Sequence, residues 1–374
     1  TWGQLGDGST ATRISPVVVR RSASDGSAMT GVRSLAAGGS TSAPAFTCVA
    51  LTDGTARCWG ANGSGQLGIG ATTPAQITTP VVVRTSAAVA GPLSGVRQVS
   101  AGLGHACAAL TDGTAVCWGA NASGQLGNSA VTTSTSTSPV QVIVSTGVPL
   151  RGIVAIVAGV VSTCASITDG TVRCWGANSF GQLGNGATSN KQTYVPQVVR
   201  AIGGVAGTAL TGVATVAVGR NHACAALTDG TAVCWGSDTA GQLGDGRTTQ
   251  AQTSPVSVSD GSSIMRAVAT IATGENHSCA ALTDGTVRCW GLDDAGQLGI
   301  GIINSVANPR PASVSDGTSF GGTRVAGATR IACGSSHTLV LVPGAIAGWG
   351  ENGSAQLGDG TQTRRLVPWL VIGY

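Results

Sequence analysis

Ten of the eleven cysteines in this 374-residue chain fall into five pairs, each ten residues apart: Cys48 with Cys58, Cys107 with Cys117, Cys164 with Cys174, Cys224 with Cys234, and Cys279 with Cys289. Three chemistries suit such thiols: disulfide formation, zinc ligation and inert burial. Zinc is usually signalled by cysteines two to four residues apart, a spacing this chain lacks. Inside every pair lies a Thr-Asp-Gly step, at Asp53, Asp112, Asp169, Asp229 and Asp284. If Thr111-Asp112-Gly113 is a three-residue loop closed by glycine in the left-handed region, Leu110 pairs with Thr114 and Cys107 faces Cys117. Directly opposed residues have Cβ atoms about 4.5–5.5 Å apart, within reach of a disulfide. A two-residue Asp-Gly loop would put the sulfurs on opposite faces. Five disulfides are expected, with free buried thiols as the alternative, and Cys333 is left over. A sixth hairpin has Pro343-Gly344 in place of Asp-Gly, and Thr338 and Gly348 near where its cysteines would fall. Five bridges imply an oxidising setting, extracellular, at the cell surface or periplasmic. Each loop of roughly 11 residues would contribute up to about 3 kcal/mol in the chain-entropy account.

The remaining reactive side chains recur with the repeat instead of gathering in one place. His105, His222, His277 and His337 each stand three residues after a glycine, as expected for a turn hydrogen bond. A catalytic histidine would stand beside an acid or nucleophile peculiar to one unit, and no such cluster is visible. The Trp-Gly pairs at Trp59, Trp118, Trp175, Trp235, Trp290 and Trp349 read as core between neighbouring units. Single carboxylates at Asp7, Asp245 and Asp359 are poor calcium ligands, and the glycine loops carry no phosphate-binding Gly-Lys-Ser/Thr. No catalytic residue, cofactor site or metal site is expected, and the chain is read as a non-enzyme.

These positions are set by a repeat of about 59 residues. Gln4, Gln66, Gln125, Gln182, Gln242, Gln297 and Gln356 head seven Gln-Leu-Gly blocks spaced 62, 59, 57, 60, 55 and 59 residues apart. Between blocks lie short Val-rich segments bounded by Gly, Pro, Asp and Ser, which read as four strands per unit. The first follows a proline, as at Pro16-Val17-Val18-Val19 and Pro80-Val81-Val82-Val83. Composition agrees: 42% hydrophobic, 3% aromatic and 10% charged, with formal charge +4, fits neither disorder nor, lacking an apolar run of about 18, a membrane-spanning helix. The arginines Arg20, Arg84 and Arg200, and Arg57, Arg173 and Arg288, form diffuse arcs that read as solvated strand ends, so no nucleic acid is expected. The Ser/Thr-rich stretch from Asn128 to Ser138 reads as a flexible loop.

Trp-Gly followed by Gly-Gln-Leu-Gly, with Ala-Gly-x-x-His and Leu-Thr-Asp-Gly-Thr steps, resembles the regulator of chromosome condensation repeat family, and specifically its secreted bacterial type. The stretch Cys117-Trp118-Gly119-Ala120-Asn121-Ala122-Ser123-Gly124-Gln125-Leu126-Gly127 carries the resemblance, which spans essentially the whole chain. It implies an all-β propeller, residues 1–374 forming a single domain, normally of seven four-stranded blades. Here six complete blades are encoded plus one extra C-terminal strand, Pro368, Trp369, Leu370 and Val371. Three outcomes stand open: a projecting strand, a seventh blade completed by residues before the start, or donation of the strand to a neighbouring subunit. The expected function is a secreted structural or adhesive surface module that binds proteins, copies of itself included, as a homo-oligomer assembled through that strand. The alternative is a monomeric binding module, an enzyme inhibitor or nucleotide-exchange factor using one propeller face.

Overall fold

The Thr-Asp-Gly turns close the hairpins as their chemistry demands. Leu110 N donates to Thr114 O at 2.9 Å, Gly113 takes φ +78°, and Asp112 Oδ1 accepts from Thr114 N and Oγ1 at 2.9 and 2.8 Å. Cys107 therefore stands directly opposite Cys117, and the same register holds in the four sister hairpins. The structure is a computed structural model describing residues 2–40, 43–86, 91–129, 133–248, 251–315 and 325–371. Residues 130–132 of the Ser/Thr-rich stretch lie outside the described residues, as do 372–374.

Apart from a two-stranded ribbon of Ile143–Ser145 and Val148–Pro149, every sheet among the described residues has four antiparallel strands in chain order, the blade arrangement of a propeller. Six such blades are present among the described residues, in two compact units. The first unit comprises Thr1–Ala11, Val17–Asn178 and Ser189–Val198. Its blade 1 has strands Val32–Ser40, Ala43–Leu51, Ala56–Ala61 and Gln76–Val82. Blade 2 has Val96–Ala101, His105–Leu110, Ala115–Ala120 and Thr135–Gln141. Blade 3 has Ile153–Ala158, Ser162–Ile167, Val172–Asn178 and Ser189–Val198. The second unit comprises Thr12–Pro16, Ser179–Thr188 and Val199–Tyr374. Its blade 4 has Val213–Val218, His222–Leu227, Ala232–Ser237 and Ala251–Ser257. Blade 5 has Val268–Thr273, His277–Leu282, Val287–Asp293 and Asn304–Ser313, and blade 6 has Arg330–Cys333, His337–Val342, Ala345–Gly350 and Arg365–Leu370. No helix among the described residues is long and apolar enough to cross a membrane.

The structure corrects the strand phase. The Pro-Val strand closes its blade as the fourth and outermost strand, instead of opening it. Pro368, Trp369 and Leu370 belong to a strand that pairs with Ala345–Gly350, so they are not surplus. Trp369 also packs under the Arg365 guanidinium, 4.2 Å from the ring centre, and Val371 N donates to Ile346 O. The segment left over is Pro16–Val19. Two residues ahead of it, Ile14 O accepts from Gly360 N, just as Leu366 O, two residues ahead of Pro368, accepts from Gly301 N.

Blade 6 also corrects the missing-cysteine positions. Its Pro343-Gly344 loop has two residues, with Val342 opposite Ala345, so the pair standing where a bridge would be is Leu339 and Gly348. Thr338 is one residue off. A Cβ on Gly348 would sit 2.6 Å from Leu339 Cδ2, which shows leucine filling the space of the lost bridge.

Within each unit the core lies between neighbouring blades. Trp118, Trp175, Trp235, Trp290 and Trp349 are fully buried and Trp59 nearly so, as their repetition suggested. Each indole rests under the glycine of the preceding Gln-Leu-Gly block. A Cβ on Gly127, at φ +67°, would lie 2.6 Å from Trp175 Nε1, so only glycine fits.

Candidate functional site

The repeated side chains form a structural relay, and its geometry assigns their roles. The main-chain oxygen of the glutamine is the acceptor hub in the first six blocks. Gln125 O takes hydrogen bonds from Trp175 Nε1 and Thr163 Oγ1, both at 2.9 Å. Gln242 O takes them from Trp290 Nε1 and Ser278 Oγ, and Gln297 O from Trp349 Nε1 and Thr338 Oγ1. Because those hydroxyls donate to the hub, they must accept from the histidine that reaches them. His105 Nε2 lies 2.9 Å from Thr163 Oγ1, His222 Nε2 3.0 Å from Ser278 Oγ, and His277 Nε2 3.1 Å from Thr338 Oγ1. The side chains thus bond the next blade, where the sequence suggested their own turn. Only the main chain serves the turn, as Gly102 N donates to His105 O.

The four histidines are held neutral, and in His105, His222 and His277 the proton is on Nε2. Burial lowers His105, His222 and His337 to about 4 and His277 to about 3. Their Nδ1 atoms have no partner among the described residues. His105, His222 and His277 act as positioning donors between blades.

All five expected bridges form, Cys48–Cys58, Cys107–Cys117, Cys164–Cys174, Cys224–Cys234 and Cys279–Cys289, and every one is fully buried. Cys333 is the free thiol.

The features that break the repeat gather in the second unit, at the end of its blades carrying the histidine turns and Gln-Leu-Gly loops. Both glutamates of the chain are there. Glu275 pairs with Arg220 of the neighbouring blade, and Glu351 Oε2 accepts from Arg364 Nη2 at 2.9 Å. Arg364 also reaches Asp294 O at 3.4 Å. A hydrogen bond from Gly353 N, then the Arg364 charge, hold Glu351 below the usual carboxylate range against its partial burial. Beside this rim, Ile302, Ile303 and Val306 are exposed, 56%, 45% and 69%. Gly301 N donates to Leu366 O, which sets the two isoleucines next to Arg364 and Arg365. Exposed apolar side chains beside an ion pair are the chemistry of a protein contact. Sequence reading passed over these residues, although the only two glutamates, both at this end, were a signal.

A second departure lies beneath the rim. Asn62 heads its loop by accepting from Leu67 N while its amide donates to Ala71 O and Pro74 O. Asp238 and Asp293 take that place in blades 4 and 5, accepting from Leu243 N and Leu298 N at 3.0 Å. Asp293 is fully buried, its Oδ2 has no hydrogen-bond partner among the described residues, and burial raises it to about 6.

Comparison with known proteins places this architecture. The regulator of chromosome condensation (RCC1) repeat pattern matches residues 53–109, 169–226, 229–281 and 284–341, and a second pattern of the same description matches 32–66, 96–125, 153–182, 213–242 and 268–297. The chain is 30% identical over 276 residues to the human probable E3 ubiquitin-protein ligase HERC6, covering 73% of this chain and 25% of that protein. It is 30% identical over 282 residues to the ultraviolet-B receptor UVR8 of Arabidopsis thaliana, covering 75% of this chain and 59% of the receptor. The chain thus spans only part of each relative, and both relatives are eukaryotic. Among solved structures, human WBSCR16 superposes with TM-score 0.72 at 23% identity over 91% of this chain and 82% of that one. Yeast RCC1 (Prp20), solved bound to Kap60, gives 0.71 at 23% over 91% and 74%. With matched repeats over more than half its length and the fold of those propellers, the chain belongs to the regulator of chromosome condensation (RCC1) repeat family.

Proposed function

We propose that this chain is a non-enzymatic, protein-binding propeller, one domain over residues 1–374, that works in an oxidising setting as a structural or adhesive element of a surface. The observation carrying the binding role is the rim of the second unit, where Ile302, Ile303 and Val306 lie exposed beside the Glu351–Arg364 pair. Five buried bridges support the setting, because hairpins tied in this way persist outside reducing compartments. The secreted type rests on the same support, and the bacterial type on the resemblance of the repeat motifs alone. Self-association belongs to this proposal through the rim, since the last strand is already paired within blade 6.

The test is retention of the protein on surface material from its source. A variant carrying Ile302→Asp, Val306→Asp and Glu351→Arg should fold normally and lose retention by tenfold or more. Equal retention would overturn the assignment. Removing Pro368 to Tyr374 should unfold blade 6; a folded protein that only loses self-association would restore the strand as the assembly element.

The monomeric inhibitor or exchange-factor reading draws on the likeness to Prp20, a protein described by its binding to Gsp1p and histones. The exchange-factor form would have the five hairpins as dithiols. Counting thiols in the denatured, unreduced protein separates the two: one thiol is expected here, and eleven would favour the exchange factor.

A further inference from the structure

Blade 6 has lost its own bridge and gained a thiol aimed at its neighbour's. Cys333 ends the inner strand, just before Gly334, where blades 2 to 5 have Ala101, Ala158, Val218 and Thr273. Its sulfur, Cys279 Sγ and a ring nitrogen of His277 all lie within 4.8 Å of one another. Thr338 Oγ1 stands 3.8 Å from each of the two sulfurs, as their shared neighbour. Three ligand atoms this close suggest a metal at first sight. Cys279 is already bonded to Cys289, however, so it offers no thiolate, and the pair of sulfurs calls for different chemistry.

We propose that Cys333 and the Cys279–Cys289 bridge form a thiol–disulfide exchange site joining blades 5 and 6. The Cys333 thiol loses its proton and its sulfur attacks Sγ of Cys279. The Cys279–Cys289 bond breaks as the Cys279–Cys333 bond forms, and Cys289 leaves as a thiolate that takes up a proton. One disulfide and one thiol exist before and after, so no oxidant or reductant is consumed. The bridge moves from inside blade 5 to between blades 5 and 6, and the free thiol moves from Cys333 to Cys289. Attack falls on Cys279 because its sulfur is the bridge atom in the cluster. Burial pushes the Cys333 thiol up to about 12, so thiolate is scarce at neutral pH and exchange is slow there.

The wild-type chain supplies the first test. Native, unreduced protein is held in excess iodoacetamide, and the alkylated positions are mapped by peptide mass spectrometry. Label divided between Cys333 and Cys289, and absent from Cys279, is the expected result; label on Cys333 alone overturns the proposal. The second test uses Cys289→Ser in a glutathione disulfide buffer. A linked peptide pair containing Cys279 and Cys333 is expected, whereas recovery of the two cysteines unlinked overturns the exchange. In Cys279→Ser, Cys289 and Cys333 should remain unlinked; a link between them would overturn the assignment of the attacked sulfur. The wild-type arm decides even if a variant fails to fold.

Discussion

The two units are built from one repeat and treat it differently. In the first, all three blades carry a bridge, a single histidine reaches across, and asparagines Asn62, Asn121 and Asn178 head the loops. In the second, one blade has no bridge, three histidines sit between or beside blades, and Asp238 and Asp293 replace asparagine. The chain's glutamates and its free thiol are also there. The first unit shows what the repeat needs in order to fold. The second shows which positions tolerate departure, some of them buried and some, such as Glu275 and Glu351, on the exposed rim. In a repeat protein, a residue that breaks the pattern says more about function than one that keeps it.

Acid should expose this difference most strongly. Histidines at about 4 or 3 in the folded chain, against 6.5 unfolded, leave the unfolded state binding more protons as pH falls from 6.5. Stability is then lost through that window and levels off below the folded values, by about 3 to 5 kcal/mol per histidine. Three of the four are in the second unit. Asp293 acts in the opposite sense: its proton is held in the folded state between 3.8 and about 6, so its contribution declines as pH rises through that range. Amide-exchange protection, corrected for intrinsic rate, should collapse in blades 4–6 before blades 1–3 on going from pH 7 to 4. Simultaneous loss would mean that the histidines do not set the difference.

Bridges come next in size. Cys107→Ala with Cys117→Ala should destabilise the first unit by about 3 kcal/mol. Leu339→Cys with Gly348→Cys places cysteines directly opposite in blade 6, and should raise that blade's stability by up to the same amount. Thermal denaturation without reductant reads both, and no gain in blade 6 would show the leucine packing to be as good as a bridge.

A smaller effect is expected at Asp293→Asn, about 1–2 kcal/mol of stabilisation at pH 7.5 that disappears near pH 4. The amide restores the donation Asn62 makes, while Leu298 N keeps its acceptor. A pH-independent change would sink the buried-carboxylate account. Least of all, Arg220→Ala should shift unfolding by under about 1 kcal/mol, since its side chain is 52% exposed. A larger loss would make that pair structural and remove it from the binding rim.

Local chemistry was legible in the sequence and phase was not. Turn type fixes register within a few residues, so Thr-Asp-Gly was enough to pair five sets of cysteines. Changing the loop to Pro343-Gly344 moved the register by one and made Thr338 the wrong choice. Whether Pro-Val opens or closes a blade cannot be read from a periodic chain, because spacing is the same from any starting point. The ladder of Arg365–Leu370 on Ala345–Gly350 decides it. The histidine contacts were hidden for a related reason: their partners are 56 to 61 residues away, on the next repeat. The rim emerges only when loops distant in sequence share one end of a unit.

The glutamine hub bears on how such a chain can change its length. In the first six blocks the glutamine's main-chain oxygen holds the tryptophan one repeat downstream, so the contact depends on no side chain of the glutamine. Duplicating or deleting one whole repeat within a unit leaves every remaining junction with the same donor and acceptor. A gene that gains or loses about 59 codons in frame, at any point along a repeat, therefore encodes neighbours that already fit. Copy number is the easy variable for such a lineage, and the sequence of an individual junction is the constrained one.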